Sequence, residues 1–79
     1  MNYPEEYYLN IDGDNQRRGQ IIINQNIKGK IKYYYSEINI VSVESSKIWC
    51  HVTILYDFLD KDDLINQATQ ELARFLRER

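Results

Sequence analysis

The sequence predicts an α+β fold: an antiparallel four-stranded β-meander followed by one C-terminal amphipathic helix packed on the sheet. Three observations predict it. Residues 5–59 alternate apolar and polar side chains with the two-residue period of strands. Short turn-forming segments interrupt the alternation. Residues 60–79 change to the 3.6-residue period of a helix, and a chain of 79 residues is expected to form one small domain.

The first two strands are predicted at Glu5–Asp12 and Gly19–Gln25. In the first, three apolar side chains alternate with polar neighbours, and residues 13–15 (Gly-Asp-Asn) are typical of a turn. The second strand is rich in isoleucine, whose β-branched side chain favours extended backbone. Residues 26–29 are interpreted as the hairpin connection to the next strand.

The third strand is predicted at Lys30–Tyr35. Its odd-numbered residues share an apolar face, whereas the next apolar residues, Ile38 and Ile40, carry even numbers. We therefore expect a bulge or bend at Ser36–Glu37 that returns Ile38 and Ile40 to the core side.

The fourth strand is predicted at Lys47–Leu59, after a turn at residues 44–46. One face is apolar throughout, and it is formed by Ile48, Cys50, Val52, Ile54, Tyr56 and Phe58. We expect this face to join the core. The opposite face is mixed and holds Trp49, Leu55 and Leu59.

The helix is predicted over residues 60–79. Asp60 can cap its N-terminus, with Asp63 three residues later as in a capping box. Acidic residues lie near the start and arginines near the end, as the helix dipole favours. Six apolar residues form a stripe that we expect to pack on the sheet: Leu64, Ile65, Ala68, Leu72, Phe75 and Leu76.

The charge distribution is uneven although the net charge is only −2. The segment from Asn15 to Ser36 holds five basic residues, three consecutive tyrosines and no acid, whereas both flanking segments are acidic. Such local asymmetry is typical of a binding surface.

The residues needed for catalysis do not assemble in the predicted fold. Cys50 and His51 are neighbours on a strand, so their side chains point to opposite faces and cannot form a nucleophile–base pair. The spacing around Gly13 does not match a calcium loop, and the acids at the helix start are ordinary capping residues. We therefore predict no catalytic residue, no metal site and no cofactor.

A protein interface is the leading functional prediction. Trp49 and Leu55 lie opposite the predicted core, and large apolar side chains in that position tend to mark a protein interface. Tyr8 and Tyr34 are added as tyrosine anchors. The alternative is that a second layer, such as residues 3–8, covers this face.

Single-stranded nucleic-acid binding is the alternative function. Lysines at alternate positions could neutralise phosphates while a tyrosine stacks on a base. The residues assigned to this surface are Arg17, Arg18, Lys28, Lys30, Lys32 and Tyr34. The competing interpretation is that lysines at a sheet edge only discourage aggregation.

Size and composition suggest the oligomeric state, the location and the source of the protein. A core this small often gains stability from a partner chain, and the single cysteine excludes an intrachain disulfide, so a homodimer is expected. No secretory signal or membrane-spanning run is present, which favours a cytoplasmic protein. Frequent Ile, Asn, Tyr and Lys, whose codons are A/T-rich, suggest a phage or mobile-element protein that inhibits a host factor.

Overall fold

The computed structural model describes residues 3–78 and confirms the predicted α+β architecture. Four strands and a helix follow in chain order: β1 (Glu5–Ile11), β2 (Asp14–Lys28), β3 (Ile31–Ser42), β4 (Ile48–Phe58) and α1 (Lys61–Glu78). The predicted helix also included Arg79, which lies outside the described residues. No helix within residues 3–78 is long and apolar enough to cross a bilayer.

The strands form one antiparallel sheet in the order β1-β2-β3-β4, so β1 and β4 are its edges. β2 and β3 pair without interruption from Arg17–Ser42 to Lys28–Ile31. The connection between them is therefore Gly29-Lys30, and the predicted connection at residues 26–29 is wrong. The polar segment after Gln25 continues as a strand because it pairs with the tyrosines of β3.

The hydrophobic core lies between α1 and one face of the sheet. Its buried side chains come from both layers: Ile11, Ile21, Ile23, Ile38, Ile40, Leu64, Ala68 and Leu72. Gly19 of β2 allows the close approach, because a Cβ atom at this position would overlap the side chain of Leu72. Burial of these aliphatic groups is the main source of stability for such a fold.

The expected bulge at Ser36–Glu37 is not in the pairing of β3 with β2, which is regular through this region. The irregularities lie instead between β3 and β4, after Tyr34, after Ile38 and after Ile40. At each of them β4 has one residue more than β3. Bulges are common at sheet edges, where they bend the strand and discourage edge-to-edge pairing.

The bulges of β4 change which side chains enter the core. Cys50, Val52, Leu55 and Phe58 pack against the core, whereas Ile48, Ile54 and Tyr56 are exposed. The predicted apolar face of β4 is therefore wrong at Ile48, Ile54 and Tyr56, and the placement of Leu55 opposite the core is also wrong. A one-residue insertion reverses every later side chain of a strand, and strict alternation cannot anticipate it.

The start of α1 is fixed by two interactions. The Asp62 N–H donates to Oδ1 of Asp60 at 3.0 Å, which confirms Asp60 as the N-cap. The Lys61 ammonium bonds the Glu5 carboxylate at 3.1 Å and ties the helix to β1. Lys61 lowers the pKa of Glu5, with a further contribution from the Tyr7 hydroxyl, and Glu5 raises the pKa of Lys61.

Removal of this ion pair should change how acid affects stability. Because the pKa of Glu5 is lowered in the folded state, its contribution is present at neutral pH and lost as the pH falls through that pKa. In Lys61→Met we expect the Glu5 carboxyl to titrate at a higher pH and the loss of stability in acid to be shallower. Carboxyl NMR titration of the wild-type chain and of Lys61→Met measures the pKa of Glu5 in each. Asp14 is the internal control, because its pKa is lowered by the Gln16 N–H and Arg17, so it should not move.

Candidate functional site

The sheet face opposite α1, here called the open face, is covered by no other element of residues 3–78. Strand pairing arranges its side chains in rows that cross the sheet. Three rows span all four strands. They are the arginine row (Asn10, Arg18, Val41, Ile48), the amide row (Tyr8, Gln20, Asn39, His51) and the acidic row (Glu6, Ile22, Glu37, Ile54).

The amide row is a continuous chain of hydrogen bonds from β4 to β1. His51 Nδ1 lies 2.9 Å from Asn39 Oδ1, and Asn39 Nδ2 donates to Gln20 Oε1 at 3.1 Å. Gln20 Nε2 then donates to the Tyr8 hydroxyl at 3.3 Å, which itself donates to Glu6 at 2.8 Å. Asn39 is fully buried and Gln20 nearly so, and their amides are satisfied within the chain.

Glu37 sets the donor-to-acceptor direction of the hydrogen bonds in the amide row. Asn39 Nδ2 also donates to Glu37 Oε2 at 2.9 Å, and a carboxylate can only accept. The Asn39 amide nitrogen must therefore face Glu37 and Gln20, which leaves its oxygen facing His51. Neutral His51 accordingly carries its proton on Nδ1 and presents the Nε2 lone pair outward.

Large apolar side chains surround the amide row. Tyr8 and Ile54 are more than one third exposed, and Ile48 is 56% exposed. Arg18 lies over the ring of Tyr8, with its Cζ 4.0 Å from the ring centroid. A sheet face that remains in water usually carries small polar or charged side chains, so this composition is typical of a surface that packs against another protein.

A second part of the open face lies where the β2–β3 hairpin extends beyond its neighbours. The pairing with β1 ends at Ile23 and the pairing with β4 ends at Tyr34, so residues 24–33 project as a two-stranded ribbon, here called the arm. At its base lies a groove of about 450 Å³. We call it the tyrosine groove, and its lining residues are Gln25, Asn26, Lys28, Tyr33, Tyr34, Tyr35, Tyr56 and Asp57.

The four residues predicted as protein-binding do not share one surface. Tyr8 lies on the open face. Tyr34 and Leu55 pack against the core on the helix side. Trp49 is 66% exposed at the far end of the sheet, where Arg17 Cζ lies 5.1 Å from its ring centroid.

The six residues predicted to bind nucleic acid are also divided. Arg17 and Arg18 lie eleven and ten residues from Lys28 along β2, about 35 Å at the usual rise of a strand. Arg17 is already paired with Asp14 at 2.7 Å. Lys28 and Lys32 project from opposite faces of the arm, so the single row of lysines with Tyr34 is not formed.

Sequence reasoning missed Gln20, Asn39, Ile54 and Tyr56 as members of one surface. A detectable signal existed for the first two, because an amide inside an apolar strand must find a hydrogen-bond partner when it is buried. Ile54 and Tyr56 could be assigned to this surface only with the positions of the bulges in β4.

Comparisons with known protein families, curated proteins and solved structures found no match to this chain. Within residues 3–78, no three metal-binding side chains lie together. The function is therefore inferred from the geometry of the open face.

Proposed function

We propose that this chain is a non-enzymatic binding module that acts by protein–protein contact, and that the partner on its open face is a second copy of the chain. Two sheets would pack face to face, with both helices outside. The observation that carries this proposal is the composition of the open face: exposed apolar side chains surround a polar centre whose hydrogen bonds are already made.

The internal hydrogen bonds of the amide row lower the cost of covering it. A buried amide without a partner costs about 1–3 kcal/mol, and this cost opposes most attempts to bury polar groups in an interface. Asn39 and Gln20 already bond each other and their neighbours. A partner can therefore exclude water from the centre of the face without leaving these amides unsatisfied.

The rows are also complementary to themselves. A two-fold axis along the amide row places the arginine row of one copy over the acidic row of the other. Arg18 then lies above the partner's Ile22, between two carboxylates, and its Nε has no hydrogen-bond partner among residues 3–78 of its own chain. On β4 the same operation places Ile48 of one copy against the partner's Ile54.

Sedimentation equilibrium over micromolar to millimolar concentrations tests this proposal. The wild-type chain should reach twice its mass of 9.5 kDa. Ile54→Glu should weaken the dimer at least about 30-fold, because it places a third carboxylate in the acidic row and removes the apolar contact with the partner's Ile48.

The matched control is Asn66→Glu, which adds the same charge on the exposed side of α1 and should leave the dimer unchanged. A wild-type protein that stays monomeric at millimolar concentration would rule out the proposal. An Ile54→Glu variant that dimerises as well as the wild type would also rule it out.

A further inference from the structure

We propose that the tyrosine groove and the arm form a binding site for single-stranded nucleic acid, separate from the three rows of the open face. The tyrosines supply stacking surfaces and the arm supplies positive charge. This inference depends on different residues from those of the proposed dimer, so each can fail without the other.

The stacking surfaces are arranged around one groove. The rings of Tyr35 and Tyr56 lie nearly parallel, with centroids 6.3 Å apart and an interplanar angle of 21°. Tyr33 lies two residues along the same face of β3, and Tyr56 is 62% exposed. An exposed aromatic side chain can stack on any base, and this contact is available only when the base is unpaired.

The charge of the arm fits the phosphates of the same strand. Lys28 Nζ lies 5.5 Å from the centroid of Tyr33, so a cation and a stacking surface adjoin. Lys30 in the turn is exposed and the arm contains no acid, whereas Lys32 projects from the opposite face of the arm and is not assigned to this site. The lining includes one carboxylate, Asp57, at the β4 side. We therefore place the phosphates along the lysine side of the groove, with the bases toward Tyr35 and Tyr56.

Fluorescence anisotropy with a labelled 12-nucleotide oligothymidine tests the site. Lys28 and Lys30, each neutralising one phosphate, predict a slope near −1.4 for log affinity against log salt, which is roughly a 7-fold loss for a fourfold rise in salt. Tyr56→Ala should weaken binding about 5- to 100-fold, whereas Tyr56→Phe keeps the ring and should bind as the wild type does. Lys28→Glu should weaken binding and flatten the slope.

Two controls make the outcome decisive. Lys47→Glu reverses an exposed lysine at the other end of the sheet and should leave affinity unchanged. Ile54→Glu, which targets the proposed dimer, should reduce affinity no more than Lys47→Glu does. The site is refuted if the wild-type protein does not bind at low salt, or if Tyr56→Ala binds as tightly as the wild type. Equal affinity for duplex of the same length also refutes it, since duplex bases cannot stack on tyrosine.

Discussion

Replacement of Gly19 by Ala should lower the free energy of unfolding by about 2 kcal/mol, because the new methyl group overlaps the side chain of Leu72 in α1. Leu72 is 2% exposed and is enclosed by the core, so it cannot move aside without displacing its neighbours. Urea denaturation followed by circular dichroism measures the loss.

A double-mutant cycle separates this overlap from the other effects of alanine in a strand. Leu72→Ala alone should cost roughly 2–5 kcal/mol, and in that background Gly19→Ala should cost almost nothing because the methyl group fills the vacated space. Leu64→Ala is the control, since Leu64 is also buried but lies eight residues, about 12 Å, from Leu72 along α1. If Gly19→Ala costs as much in the Leu72→Ala background as in the wild type, α1 does not pack on Gly19 as described.

The second large effect is expected from Asn39→Asp. A carboxylate at this buried position cannot donate to Gln20, and it lies beside the Glu37 carboxylate that Asn39 Nδ2 now contacts at 2.9 Å. We expect a loss of at least roughly 3 kcal/mol at neutral pH, because an unsatisfied buried group and a repulsion between like charges act together.

The pH dependence distinguishes this explanation from simple misfolding. As the pH falls, the new carboxyl gains a proton and can donate again. The stability of Asn39→Asp should therefore approach that of the wild type in mild acid. Asn10→Asp is the control on the same face, and it should change stability by no more than about 0.5 kcal/mol because Asn10 is exposed. A deficit for Asn39→Asp that does not depend on pH would contradict the described amide row.

Periodicity predicts the order of the elements and the helix-side core in this chain. The predicted helix stripe packs on the core as expected, and Ile38 and Ile40 are buried there as expected although the bulge predicted before them is absent from the β2–β3 pairing. Asp60 is also identified correctly, since capping is a local interaction.

The open face could not be predicted in the same way. Its rows depend on strand register, and the side chains of β4 depend on three bulges that no local pattern marks. Leu55 and Ile54 exchange their expected environments for this reason. The basic segment was detected as a charge pattern, but its residues separate because β2 is long enough to place Arg18 and Lys28 at opposite ends.

The most direct test of the central claim is an isotope-filtered NOE experiment on a mixture of ¹³C-labelled and unlabelled chains. A two-fold axis along the amide row predicts intermolecular cross-peaks between the methyl groups of Ile54 and Ile48. Within one chain these residues are separated by the amide row and by two of the β4 bulges, too far for a direct NOE. Cross-peaks between these isoleucines would establish the face-to-face dimer, whereas intermolecular contacts confined to α1 or to the β1 edge would contradict it.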